Sequence, residues 1–172
     1  MSEPTLRVTA VCLGNICRSP IAEVVLSDRV ARAGLGARIQ VDSAGTGDWH
    51  VGGRADHRTI AVLTSHGYDI DHVPRQITHS WMENINLLLA MDHRNYQDLG
   101  GLIRGGSTQV RPTLRMLRSF DPQLLEIVEP DTRLDVPDPY YGAPADFEDV
   151  LAMVERAADG VVTYLEQRLS GA

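Results

Sequence analysis

The run Cys12-Leu13-Gly14-Asn15-Ile16-Cys17-Arg18-Ser19 sets a nucleophilic sulfur six residues ahead of a guanidinium, with a glycine and an asparagine between them. The apolar stretch Leu6-Arg7-Val8-Thr9-Ala10-Val11 before it reads as a buried strand. Ser19-Pro20 after it reads as a helix start, with serine at the N-cap and proline at the first helical position. A turn between strand and helix gathers backbone N–H groups into one concavity, and the helix's unpaired amides add about half a positive charge. Such a cradle suits a phosphate dianion. Arg18 supplies a planar fork for two phosphate oxygens, and the same field favours a thiolate at Cys12. Gly14 and Asn15 tolerate positive φ, so they are expected to let the chain wrap. With two cysteines, sixteen arginines and nine serines in 172 residues, a Cys with Arg-Ser six positions on arises by chance about 0.01 times, so the pattern carries weight.

Breaking a phosphate ester also needs a proton for the departing oxygen. Asp138, between Pro137 and Pro139, is the candidate acid; an aspartate before proline is also an ordinary turn residue, and the sequence alone favours the turn. Cys17 reads either as a small buried residue or, five positions from Cys12, as its partner in a reversible disulfide under peroxide.

These groups need a scaffold. Strand and helix signals alternate: strands near 6–11, 38–43, 86–91 and 113–117, helices near 19–33, 54–66, 93–101 and 145–169. This is the pattern of βα units around a parallel sheet, with right-handed crossovers placing helices on both faces and ligands beyond the strands' carboxyl ends. In the last helix Phe147, Val150, Leu151, Val154, Val161, Val162 and Leu165 form an apolar stripe, which Gly160 is expected to interrupt. The segment 118–144, rich in proline and aspartate, reads as a long ordered loop.

Composition narrows the rest. A chain of 172 residues that is 43% hydrophobic suits one domain, residues 1–172. Net charge is −7, unevenly spread: +2 over residues 1–118 and −9 over 119–172. That balance, without a basic stripe interleaved with aromatics, argues against nucleic acid. No secretory core or apolar run near 20 residues is evident, so no membrane association and a cytoplasmic location are expected. Two cysteines within one turn look like reactive chemistry in a reducing compartment. No Cys-x2-Cys pair or His-Glu-x-x-His helix offers a metal site.

The Cys12–Pro20 segment resembles the phosphate loop of the low-molecular-weight protein tyrosine phosphatases. Asp138-Pro139-Tyr140-Tyr141 is similar to that family's general-acid loop, and Ser43-Ala44-Gly45-Thr46, Trp49, Gly67, His72, Arg75-Gln76-Ile77 and Met91-Asp92 also match, over roughly residues 6–168. The resemblance implies a single-domain, three-layer α/β fold with a four-stranded parallel sheet in the order 2-1-3-4, which pattern alone does not establish. It implies metal-independent hydrolysis of phosphotyrosine without a cofactor: Cys12 attacks phosphorus, Arg18 and the loop amides carry the charge, and Asp138 protonates the leaving group and then activates water on the phosphocysteine. Asn15, Ser19, Ser43 and His72 would hold the loop, with Asp92 as support; N-cap roles compete for Ser19 and Asp92. Leu13, Ile16, Trp49, Tyr140 and Tyr141 would flank the phosphotyrosine ring around the loop residues Gly14, Asn15 and Cys17. The implied partners are phosphotyrosine-containing proteins in bacterial signalling, met by a monomer. Related protein arginine phosphatases carry threonine where Ile16 stands. The rivals are a thioredoxin-coupled arsenate reductase, which needs further cysteines, and a silent phosphotyrosine-binding or redox-sensing module, which needs no acid.

Overall fold

In the computed structural model, which describes residues 5–106 and 111–171, strand β1 (Leu6–Cys12) runs through the middle of the molecule. It pairs in parallel with β2 (Ile39–Gly45) on one side and β3 (Leu87–Ala90) on the other, and β3 pairs with β4 (Thr113–Met116), giving the order β2-β1-β3-β4. Successive side chains of a strand point to opposite faces, and the two cores follow that alternation. Val8, Ala10, Cys12, Leu87, Leu89 and Met91 join helices α1 (Arg18–Arg32) and α5 (Pro144–Leu169) on one face. Val11, Leu88 and Ala90 pack on the other face with Met82 of the short helix α3 (His79–Met82) and Leu99 of α4 (His93–Gly105). Helix α2 (His57–Ser65) completes the α1/α5 layer through Val62 and Leu63.

The strand and helix positions agree with the sequence reading to within a few residues, apart from α3, which its four residues are too few to announce by periodicity. Gly160 does not interrupt α5, which runs unbroken for 26 residues. Any Cβ at position 160 would stand 2.4 Å from the Phe120 carbonyl oxygen. The glycine is there so that the 3-10 turn Leu117–Phe120 can press against the helix, a packing gain that outweighs glycine's poor helix propensity. The long segment after β4 holds only that turn and a second one, Thr132–Leu134. It returns to the sheet where the Val136 N–H donates to the Met91 carbonyl at 2.8 Å.

The chain leaves β1 to build β2 on one side and later β3 on the other. Ligands of open α/β sheets bind at such a reversal, beyond the strands' carboxyl ends, and Cys12 is the last residue of β1.

Candidate active site

Residues 13–17 carry the chain from β1 into α1. Helix α1 begins at Arg18, one residue before the sequence reading, with Cys17 at the cap position and contributing no side-chain cap. Ser19 is therefore not the N-cap. Its hydroxyl turns back into the loop instead, 3.0 Å from Cys12 Sγ and 2.8 Å from Asn15 Nδ2. The Asn15 N–H also donates to the sulfur, at 3.3 Å.

Of Gly14 and Asn15, only Asn15 adopts positive φ, at 57°, and it is the one non-glycine among the described residues to do so. Asparagine tolerates this conformation because its amide can bond locally, and here every branch of that amide is used. Nδ2 donates to Ser19 and to Ser43 Oγ (2.9 Å), while Oδ1 accepts from the Arg75 N–H (3.0 Å). The backbone carbonyl of Asn15 accepts from His72 Nε2 at 2.8 Å, and His72 Nδ1 faces Glu23 Oε2 at 3.2 Å. Gly14 serves by its size: a Cβ there would lie 3.2 Å from the His50 ring. Gly45 matters more, since a Cβ would come within 2.7 Å of the Leu13 carbonyl oxygen. That close approach lets the Thr46 and Gly47 N–H groups bond the Cys12 and Leu13 carbonyls, both at 2.9 Å.

Arg18 is 3% exposed. Its Nη1 donates to Asp92 Oδ2 at 2.5 Å and to the Val136 carbonyl at 3.1 Å, and Nη2 lies 3.5 Å from Asp138 Oδ2. Burial disfavours the charge, but the neighbouring Cys12, Asp92 and Asp138 outweigh it and raise the guanidinium's pKa above its ordinary value. With both Nη1 protons engaged, Nη2 and Nε are left for a ligand. Asp92 serves in both of its expected capacities: Oδ1 caps α4 through the Asn95 N–H at 2.7 Å, and Oδ2 holds Arg18.

Asp138 is far more exposed than Arg18 or Asp92, with a side chain 46% accessible. Its Oδ1 accepts the Tyr140 N–H at 3.1 Å, so it is a turn residue whose other oxygen faces Arg18. Burial pushes the Cys17 thiol up to about 12, with Asp56 and Cys12 adding to the effect. Both cysteines are free.

Cys12, Leu13, Gly14, Ile16, Cys17, Arg18, Trp49, His50, Asp138, Tyr140 and Tyr141 line one cavity of about 400 Å³. Asn15, Ser19, Ser43 and His72 stand behind the loop and Asp92 behind Arg18, so the expected residues all gather at this place. Trp49 is 69% exposed and Tyr141 95%, so they are walls and not core; Tyr140 and Tyr141 meet edge to face at 4.9 Å. Sequence reasoning missed His50, a further wall. It also missed Glu23, which receives Ser43 Oγ at 2.8 Å as well as His72. Glu23 stands one helical turn after Ser19, on the same face of α1, which is the signal that could have found it.

A cysteine-headed anion cradle at the reversal point of a 2-1-3-4 parallel sheet defines a class of phosphate-loop proteins, and comparison with known proteins names the family. The model of the low molecular weight phosphotyrosine protein phosphatase family matches residues 7–170. The chain is 45% identical to the low molecular weight protein-tyrosine-phosphatase of Streptomyces coelicolor, over 97% of this chain and 98% of that one. It is also 45% identical to low molecular weight protein-tyrosine phosphatase A of Mycobacterium tuberculosis, over 99% and 97%. Among solved structures, a protein tyrosine phosphatase from Entamoeba histolytica with Hepes in its active site superimposes with a TM-score of 0.82 at 33% identity, covering 95% of this chain and 98% of that one. The chain belongs to the low molecular weight phosphotyrosine protein phosphatases.

Proposed function

We propose that this chain, as one domain over its whole length, hydrolyses phosphotyrosine and other aryl phosphate monoesters through a phosphocysteine intermediate. The observation that carries this reading is the meeting of Cys12 Sγ, the Arg18 guanidinium and the Asp138 carboxylate in one cavity, with Asp138 3.5 Å from Arg18. In the first step the Cys12 thiolate attacks phosphorus, the S–P bond forms and the P–O bond to the aryl group breaks. Asp138 gives its proton to the departing oxygen. In the second, Asp138 takes a proton from water, whose oxygen bonds to phosphorus and releases the thiolate. Arg18 Nη2 and Nε and the loop amides hold the charge on the equatorial oxygens, a task that requires no metal.

The ring of the substrate would lie among Leu13, Ile16, Trp49, Tyr140 and Tyr141, which line the cavity. Cys12 is only 3% exposed, and a deep slot over the sulfur would favour the longer phosphotyrosine over phosphoserine. Two free thiols suit a reducing cytoplasm, and no helix among the described residues is long and apolar enough to cross a membrane.

The test is an initial-rate comparison of phosphotyrosine, phosphoserine and phosphoarginine peptides, with thioredoxin-coupled arsenate reduction alongside. Phosphotyrosine should turn over at least about 100-fold faster than the others. A preference for phosphoarginine, or arsenate reduction in place of hydrolysis, would replace this reading with one of its rivals.

A further inference from the structure

The first turn of α2 touches both loops of the site. On one side the Asp56 N–H and the Thr59 hydroxyl donate to the Ile16 carbonyl of the phosphate loop, at 3.0 and 2.9 Å. On the other, Arg58 reaches the acid loop, Nη2 donating to the Tyr140 carbonyl at 2.8 Å and Nη1 to the Gly142 carbonyl at 3.1 Å. Asp56, the N-cap of α2, holds the same guanidinium at Nε (3.0 Å) and Nη2 (2.9 Å). The guanidinium also lies 4.5 Å above the centre of the buried Phe147 ring. A carboxylate, two carbonyls and an aromatic face together leave this side chain one position.

Asp138 stands midway between two anchors. Val136 is tied to the sheet through Met91 and to Arg18 through its carbonyl, and Tyr140 is tied to Arg58. The residues between are Pro137 and Pro139, whose rings fix φ, so the anchors set where the carboxylate stands. We propose that Arg58 is a positioning residue for the general acid: through the Tyr140 and Gly142 carbonyls it sets Asp138 relative to the phosphate loop that the same helical turn holds. It makes no contact with the reacting atoms. This inference rests on the phosphatase reading above, in which the Asp138 proton passes to the aryl oxygen as its bond to phosphorus breaks.

A merely structural role would slow all substrates alike, whereas misplacing the acid hurts most where the leaving group needs its proton. Arg58→Met keeps the contact with Phe147 and loses the donors. In the full chain, kcat/KM should fall about 10- to 100-fold on phenyl phosphate but less than about 3-fold on p-nitrophenyl phosphate, whose phenolate leaves readily. Inhibition by inorganic phosphate should stay within about 2-fold of the unmodified chain. In an Asp138→Asn background the same change should cost phenyl phosphate hydrolysis less than about 2-fold more, because both substitutions act on one proton transfer. Arg58→Lys, which keeps the charge but not the fork, should show a smaller loss with the same substrate dependence, and it decides the matter should Arg58→Met not fold. Equal losses on both esters, weaker phosphate inhibition of matching size, or full additivity with Asp138→Asn would overturn the proposal. An unmodified chain that hydrolyses neither ester would instead sink the phosphatase reading itself.

Discussion

The phosphate loop and the acid loop face each other across one cavity and are built on opposite principles. The first is buried and saturated with internal bonds: Asn15, Ser19 and Ser43 are fully buried, and the amide of Asn15 has three partners. The second is exposed and held at points, by Val136 on one side and Arg58 on the other. The difference suits the chemistry proposed for each. Charge that develops on phosphoryl oxygens is best met by dipoles that need not reorganise. An acid that must exchange its proton and admit water to the second step needs access to solvent.

Substitutions sharpen this contrast. Cys12→Ser should cost the most, on the order of 10⁴-fold or more in turnover of p-nitrophenyl phosphate, because the cradle is kept and the nucleophile is gone; retained turnover would disprove the assignment. Asp138→Asn should lower kcat/KM by about 10²- to 10⁴-fold, more for poorer leaving groups, with phosphate inhibition unaffected. Asn15→Ala should damage the loop's frame, since alanine at φ 57° is strained and Ser43 and the Arg75 N–H lose partners. A loss of about 2 to 4 kcal/mol in urea unfolding, together with weaker phosphate inhibition, is expected; unchanged stability would mean that the loop is not held by this amide.

Two smaller effects concern titration. With its thiol at about 12, Cys17 stays protonated through the neutral range, so iodoacetamide at pH 7.5 should label Cys12 and spare Cys17, as mass spectrometry would read. Rapid labelling of Cys17 would contradict its burial. Asp56 is the subtler case. Its hydrogen bonds to Arg58 hold its pKa below the ordinary carboxylate value despite burial. A lowered folded-state pKa gives stability that is present above the unfolded value near about 3.9 and is lost as pH falls through the folded one. Asp56→Asn should therefore lower Tm at pH 7 and lose less Tm than the unmodified chain between pH 5 and pH 2; parallel curves would show that the pair contributes nothing.

How far the sequence could be read followed the same division. Cys12 to Ser19 was legible because its chemistry lies in consecutive residues between a strand and a helix, and Asp138 became legible only through its likeness to a known loop. Glu23 and Arg58 were not legible, because each acts through partners that only folding brings near; Arg58 and Tyr140 are 82 positions apart. Gly160 was misread for a related reason. Its propensity is a local property, whereas its purpose is the Phe120 carbonyl pressed against it. The strand order required the family likeness too, since parallel strands buried on both faces carry no mark of their neighbours.

The Trp49 ring lies where a side chain at position 47 would begin, 1.7 Å from the Cβ site of Gly47. Any larger residue at 47 must move the indole from the rim, although the Gly47 N–H also holds the Leu13 carbonyl beside Cys12. Under the proposed function, position 47 would thus tune what the enzyme accepts through the indole, a dial distinct from the nucleophile and the acid.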